Sequence, residues 1–277
     1  MSRDDKFFQF PISALQLGKP LEEVTSEDAM SRLKEILAYS IVEAGIKFLQ
    51  SKDSEAVEAV LDRSSVRFPH RKLTVHEKHV ILGMYVCNVT ISGGGYVHKE
   101  TYLEESNSIR QLVGGGKQLR LRTDIFWQYR KTVEEGTKDI EWRDFATLCA
   151  VNAGIGAHHS SQLSFDYIGC MSIGYSSLAN ATSAGRRDLI PLRHKTRYTV
   201  RGLSRRGWFV YLSPNGRHNF YSNSLSESEL AKYMITKVAD KAKVPKNALN
   251  AVVREQIEQA KKEEKTRSDI AKKLESI

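Results

Sequence analysis

The chain has no apolar run approaching the ~18–20 residues a helix needs to cross a bilayer, which excludes a helical membrane span. Cysteine is scarce. Cys87, Cys149 and Cys170 are the only three in 277 residues, and they stand far apart inside apolar stretches. An odd count without CxxC spacing frames neither a disulfide network nor a zinc knuckle. The three read instead as buried thiols of a reducing compartment. The N-terminus, Met-Ser-Arg-Asp-Asp-Lys, carries charges where a secretion signal needs an apolar segment, so a cytoplasmic protein is expected.

Catalytic patterns are missing as well. Val113-Gly114-Gly115-Gly116-Lys117-Gln118 has the outline of a phosphate loop. That loop, however, needs glycine five residues before Gly116 and a hydroxyl after the lysine, where this chain has Gln111 and Gln118. His76 and His79 lie three apart with His70 nearby, but no acid or cysteine stands at zinc-ligand spacing. His158-His159 reads as loop histidine. Glu104-Glu105 and Glu134-Glu135 are sequence neighbours, which diverge on a helix and make poor acid/base or two-metal pairs. No Gly-x-Ser-x-Gly surrounds a serine. The expectation is a protein that is not an enzyme and has no catalytic residues, no metal and no cofactor.

What the chain does have is ordinary globular composition, 40% hydrophobic and 27% charged, with enough length for about two domains. It also has a formal net charge of +9. Between positions 186 and 217, nine cations (Arg186, Arg187, Arg193, Lys195, Arg197, Arg201, Arg205, Arg206 and Arg217) oppose the single acid Asp188, so this window holds eight of the nine excess charges. A solvated helix face usually interleaves both signs at i, i+4. This one repels itself unless an anion meets it, and phosphate is the obvious candidate because its neutralisation releases counterions. A second, lesser basic group gathers Arg120, Arg122, Arg130 and Lys131 around Trp127.

Four regions follow from pattern and punctuation. Residues 1–68 form an N-terminal helical region. Phe7, Phe8 and Phe10 there are extended and expected to dock on the body, and a Thr25/Asp28 capping box opens a helix over Glu27–Leu49. Residues 69–137 form a middle helical domain with two Gly-rich loops. It has a capping box at Thr74/Glu77, a helix over 99–112 and another over Arg120–Glu134. Residues 224–277 form C-terminal helices, the first opened by Ser226 and Glu229.

The remaining region, 138–223, carries the charge. Glu141–Gly154 and Ser164–Gly174 have helical apolar spacing, with a short strand expected at Ser160–Leu163 between them. Lys195–Arg206 reads as a helix. At ~100° per residue it places Thr196, Val200, Leu203 and Gly207 on one side and His194, Arg197, Tyr198, Arg201 and Arg205 on the other. Then β-prone Trp208–Leu212, a Ser213-Pro214-Asn215-Gly216 turn and a returning Arg217–Ser222 form a hairpin. In this order of elements, residues 138–223 resemble a winged helix-turn-helix. One departure stands out. About twenty residues separate the second helix from the basic one, which calls for an extra helix over Ser176–Ala184 or a shift of helix order by one.

The resemblance implies a mainly α protein with small β-hairpins (α+β), in which a winged helix is embedded in a larger helical body. It also implies binding of double-stranded DNA, with Arg197, Arg201, Arg205, His194 and Lys195 in the major groove. Tyr198 would touch sugar-phosphate, and Arg186, Arg187, Arg193, Arg206, Asn215, Arg217 and His218 would hold phosphates or the minor groove. The overall look is similar to transcriptional regulators and replication initiators of plasmids, phages and other mobile elements. Such a protein is expected to be cytoplasmic and nucleoid-associated, to pair as a homodimer or with a protein partner, and to have no membrane role. The alternative is a subunit of a larger complex that binds RNA or structured DNA by shape. A nuclease drawing its residues from distant parts of the chain is the third reading.

Overall fold

In a computed structural model, the described residues are 7–65, 72–87, 89, 99–113, 117–136, 140–156, 158–213 and 219–242. They form a mainly helical protein with a few short antiparallel strands. The chain divides into two compact units. One comprises Met1–Gly156 with Phe165–Thr199, the other Ala157–Ser164 with Val200–Ile277.

The first unit begins with strand β1 (Phe7–Pro11) and the helices α1 (Ser26–Ser51), α2 (Ser54–Ser65), α3 (Val75–Val86) and α4 (Lys99–Val113). Strand β2 (Gln118–Arg122) and the helices α5 (Thr123–Glu134) and α6 (Trp142–Ile155) follow. After the residues assigned to the second unit come α7 (Phe165–Ser172) and the short α8 (Leu178–Ser183).

α1 is the unit's spine and packs on β1, α3, α4 and α5. Its start is fixed locally. The Thr25 hydroxyl accepts from the Asp28 backbone N–H, and the Asp28 carboxylate accepts from the Thr25 N–H at 2.9 Å, so each satisfies an otherwise orphaned donor. Where α1 meets α3 the two backbones touch. A Cβ on Gly83 would lie 1.8 Å from the Ile41 carbonyl oxygen, and one on Gly45 would lie 1.7 Å from that of His79. Only glycine permits this approach.

The N-terminal phenylalanines do dock on the body, and they do so as a strand. β1 pairs antiparallel with β2, Phe8 opposite Leu121 and Phe10 opposite Leu119, and all four side chains are fully buried. Phe8 also meets Phe126 of α5 edge-on at 4.6 Å between ring centroids. This corrects the expected helix over Arg120–Glu134, which begins only at Thr123. Gln118-Leu119-Arg120-Leu121-Arg122 alternates exposed and buried, the period of two that a strand imposes. Of the two alternatives for the long connection, the structure has the extra helix: α8 lies within Ser176–Ala184 and is capped by the Ser177 hydroxyl.

In the second unit, β3 (Ser161–Gln162), β4 (Val210–Leu212) and β5 (Phe220–Ser222) make one antiparallel sheet in the order β3-β5-β4. Helix α9 (Arg193–Arg205) begins in the first unit, to which its residues up to Thr199 belong, and runs into the second at Val200, ahead of β4. α10 (Glu227–Ala242) packs on β4 and β5, where Phe220, Leu230, Ala231 and Met234 are buried together. Ser226 and Glu229 form the expected reciprocal cap. The Gly-rich loops, the hairpin turn at 214–218 and the proposed helix over 248–277 lie outside the described residues.

Candidate nucleic-acid interface

α9 is held as a helix by its ends and by its inner face. Thr196 donates its backbone N–H to the Leu192 carbonyl at 3.1 Å, which starts the ladder two residues after Ile190-Pro191. At the other end, Trp208 N–H bonds the Leu203 carbonyl at 3.2 Å and Gly207 N–H bonds that of Ser204 at 3.0 Å. Gly207 has φ +80°. This pair of bonds around a left-handed glycine is a Schellman closure. The inner face consists of Thr196, Thr199, Val200 and Leu203, all buried. The Thr199 hydroxyl folds back onto the Lys195 carbonyl at 3.1 Å, so its polar group is satisfied within the helix. In the first unit, α7 approaches the start of α9 at Gly169, where a Cβ would lie 3.4 Å from Thr196 Oγ1 and 3.5 Å from the Pro191 carbonyl oxygen.

The outer face divides into two kinds of cation. Arg193 and Lys195, in the first turn, are engaged by the protein's own acids. The Arg193 guanidinium forks onto Asp166 of α7 at 2.6 and 3.3 Å. Lys195 reaches Glu22 at 3.1 Å, and Arg143 approaches the same carboxylate at 3.5 Å. Partial burial raises the Glu22 carboxyl's pKa, but its backbone hydrogen bond, Lys195 and Arg143 outweigh that and hold it below the ordinary value. Arg197, Arg201 and Arg205, one turn apart along a single stripe, are exposed and make no hydrogen bond or ion pair with the protein among the described residues. Tyr198 beside them is 72% exposed, an aromatic ring left to solvent.

The other expected residues are placed as follows. His194 is exposed on the same helix, and Arg186 and Arg187 are exposed at the turn after α8. Arg206 turns its Nε back to the Gly202 carbonyl at 3.3 Å. Asn215, Arg217 and His218 lie outside the described residues. Spacing alone does not reveal Asp166 and Glu22 as partners, because they are 27 and 173 residues from the cations they hold.

Elsewhere, burial pushes the Cys87 thiol up to about 12 and that of Cys149 well above its ordinary value, and all three cysteines are buried and free. The rings of His76 and His79 lie 6.2 Å apart. Burial, His76 and Arg110 lower the pKa of His79. Among the described residues, no group of three or more histidine, cysteine or carboxylate side chains is arranged to hold a metal, and no helix is long and apolar enough to cross a membrane. No protein family, curated protein or solved structure compared with the chain matches it. The chemistry on offer along the exposed stripe of α9 is a row of planar guanidinium forks with no carboxylate beside them among the described residues. Such a row suits phosphate oxygens or the O6/N7 edge of guanine.

Proposed function

We propose that the protein is a sequence-specific double-stranded DNA-binding protein whose α9 is the recognition helix of a winged helix-turn-helix. It would serve as a transcriptional regulator or a replication initiator of a mobile element. The observation that carries this reading is the stripe of Arg197, Arg201 and Arg205, without a partner among the described residues, on a helix whose opposite face is buried. The chain order supports it too: helix α6, strand β3, helix α7, the inserted α8, basic α9, then the hairpin strands β4 and β5. β3 pairs with the hairpin strand β5.

In this reading Arg197, Arg201 and Arg205, with His194, face base edges in the major groove. Arg193 and Lys195, already tied to Asp166 and Glu22, hold the helix start in place. Arg186, Arg187, Arg206 and the hairpin residues Asn215, Arg217 and His218 would meet phosphates, fixing register without reading sequence.

Selection of bound duplexes from a random library, followed by competition, tests the proposal. One sequence should emerge that binds ~10³-fold or more tighter than random DNA at physiological salt. A flat sequence profile, or tighter binding of RNA, would replace this reading with that of a shape-reading RNA or structured-DNA subunit.

A further inference from the structure

The first unit contains a cleft of about 870 Å³ that the DNA reading does not use. Its size falls within the ~300–1,000 Å³ typical of small-ligand sites. One wall is the outer face of the β1–β2 ribbon. Burying Phe8, Phe10, Leu119 and Leu121 on the inner face turns Phe7, Gln9 and Arg120 outward into the cleft. The opposite walls come from α1, α2 and α3 and bring two more aromatic rings, Phe48 and Tyr85, 6.0 Å apart and steeply inclined at 73°. Tyr85 is 39% exposed, so part of its ring is open to the cleft.

Charge in the cleft is one-sided. Lys47, Lys52, Arg63 and Arg120 line it against the single acid Glu43. Glu43 is already bound by the guanidinium of Arg110, which is not among the lining residues. The Arg120 guanidinium carbon lies 4.4 Å from the Phe7 ring centroid, and its side chain makes no hydrogen bond or ion pair among the described residues. Lys47 is oriented by Gln9 at 2.7 Å. Lys52 and Arg63 are exposed, and their side chains make no hydrogen bond or ion pair among the described residues. Aromatic faces take planar rings, and a surplus of fixed cations takes phosphate, which carries nearly two negative charges at neutral pH.

We propose that this cleft binds a nucleotide, with its base against the aromatic walls and its phosphate met by Arg120, Lys52 and Arg63. The same chemistry is offered by a free mononucleotide and by the terminal nucleotide of a single strand. The proposal does not depend on α9, and its failure leaves the DNA reading where it stands.

Calorimetric titration of the full-length protein tests it with AMP, GMP, CMP and UMP, the matching nucleosides, inorganic phosphate and a ten-residue oligodeoxythymidine. At least one monophosphate should bind one to one, tenfold or more tighter than both its nucleoside and inorganic phosphate. Lys52→Ala with Arg63→Ala, both at exposed positions, should weaken it at least tenfold. Ala59→Trp, which fills the cleft from the exposed side of α2, should abolish it while the circular dichroism spectrum is kept. Oligonucleotide binding that Ala59→Trp removes, without mononucleotide binding, assigns the site to strand ends and also supports the proposal. Three results overturn it: no binding of either kind, inorganic phosphate binding as tightly as the nucleotides, or binding indifferent to both sets of substitutions.

Discussion

α5 and α9 are both arginine-bearing helices with one face in the core, yet they treat their cations in opposite ways. Around α5 the chain supplies an acid for most of them. Arg122 pairs with Asp124, Arg130 with Glu134 at 2.8 Å, and Lys131 with Glu135 at 3.6 Å, while Arg130 also lies 5.4 Å from the Trp127 ring. α9 has no acidic residue at all between Arg193 and Arg205. The two cations in its first turn borrow distant carboxylates, and the three along its exposed stripe have none among the described residues. Arginine number differs too, one within α5 against four within α9, but number alone does not tell which cations are paired. Local neutralisation tells that: the cations around α5 mostly meet acids of their own neighbourhood, whereas the exposed stripe of α9 meets none among the described residues.

Charge reversal should separate them most sharply. Arg201→Glu with Arg205→Glu removes two groups expected to be worth ~1–3 kcal/mol each on the cognate duplex and adds repulsion toward phosphate. Affinity in a fluorescence-anisotropy titration should fall by at least ~10²-fold. Arg130→Glu with Lys131→Glu should change it less than ~3-fold, consistent with the small worth of exposed pairs. Equal losses from both pairs would erase the distinction between the helices.

Single truncations grade the same contrast. Arg201→Ala and Arg205→Ala should each cost ~1–3 kcal/mol and relax base preference at the position contacted. Arg217→Ala should weaken all sequences alike and reduce the slope of log affinity against log salt by about one. Arg193→Ala should affect DNA less than Arg201→Ala, and a double-mutant cycle with Asp166→Ala in chemical denaturation should return ~0.2–1 kcal/mol, because the pair is exposed and screened by solvent.

The helical elements were legible in the sequence where a cap and an apolar stripe coincide. Thr25/Asp28, Thr74/Glu77 and Ser226/Glu229 each open the helix their spacing predicts. β2 was masked because its five residues run directly into α5 and share its apolar and basic composition. The alternation of Leu119 and Leu121 acquires meaning only once β1, more than a hundred residues earlier, supplies the other half of the ribbon. The candidate site was legible in part for the same reason. The charge surplus of α9 is a local property of the chain, whereas Asp166 and Glu22, which engage two of its cations, reach them only through tertiary structure.

The smallest effect concerns a cation that the fold has already satisfied. Lys19 donates to Asp28 at 2.7 Å, and with the backbone and hydroxyl of Thr25 it draws the Asp28 carboxyl down from 3.8 to about 2. A carboxyl whose folded pKa is depressed stabilises the fold fully above its unfolded value and loses that contribution as pH falls through the folded one. Between pH 4 and pH 2 the thermal midpoint of the wild-type chain should therefore fall faster than that of Asp28→Asn, which has no carboxyl to titrate there, and the gap between them should close at the acid end. Arg201→Gln should leave the shape of this acid limb unchanged, since no described carboxylate depends on Arg201 for its ionised form. An acid limb altered by Arg201→Gln would reveal an acid partner for α9 and place that helix in the same class as α5.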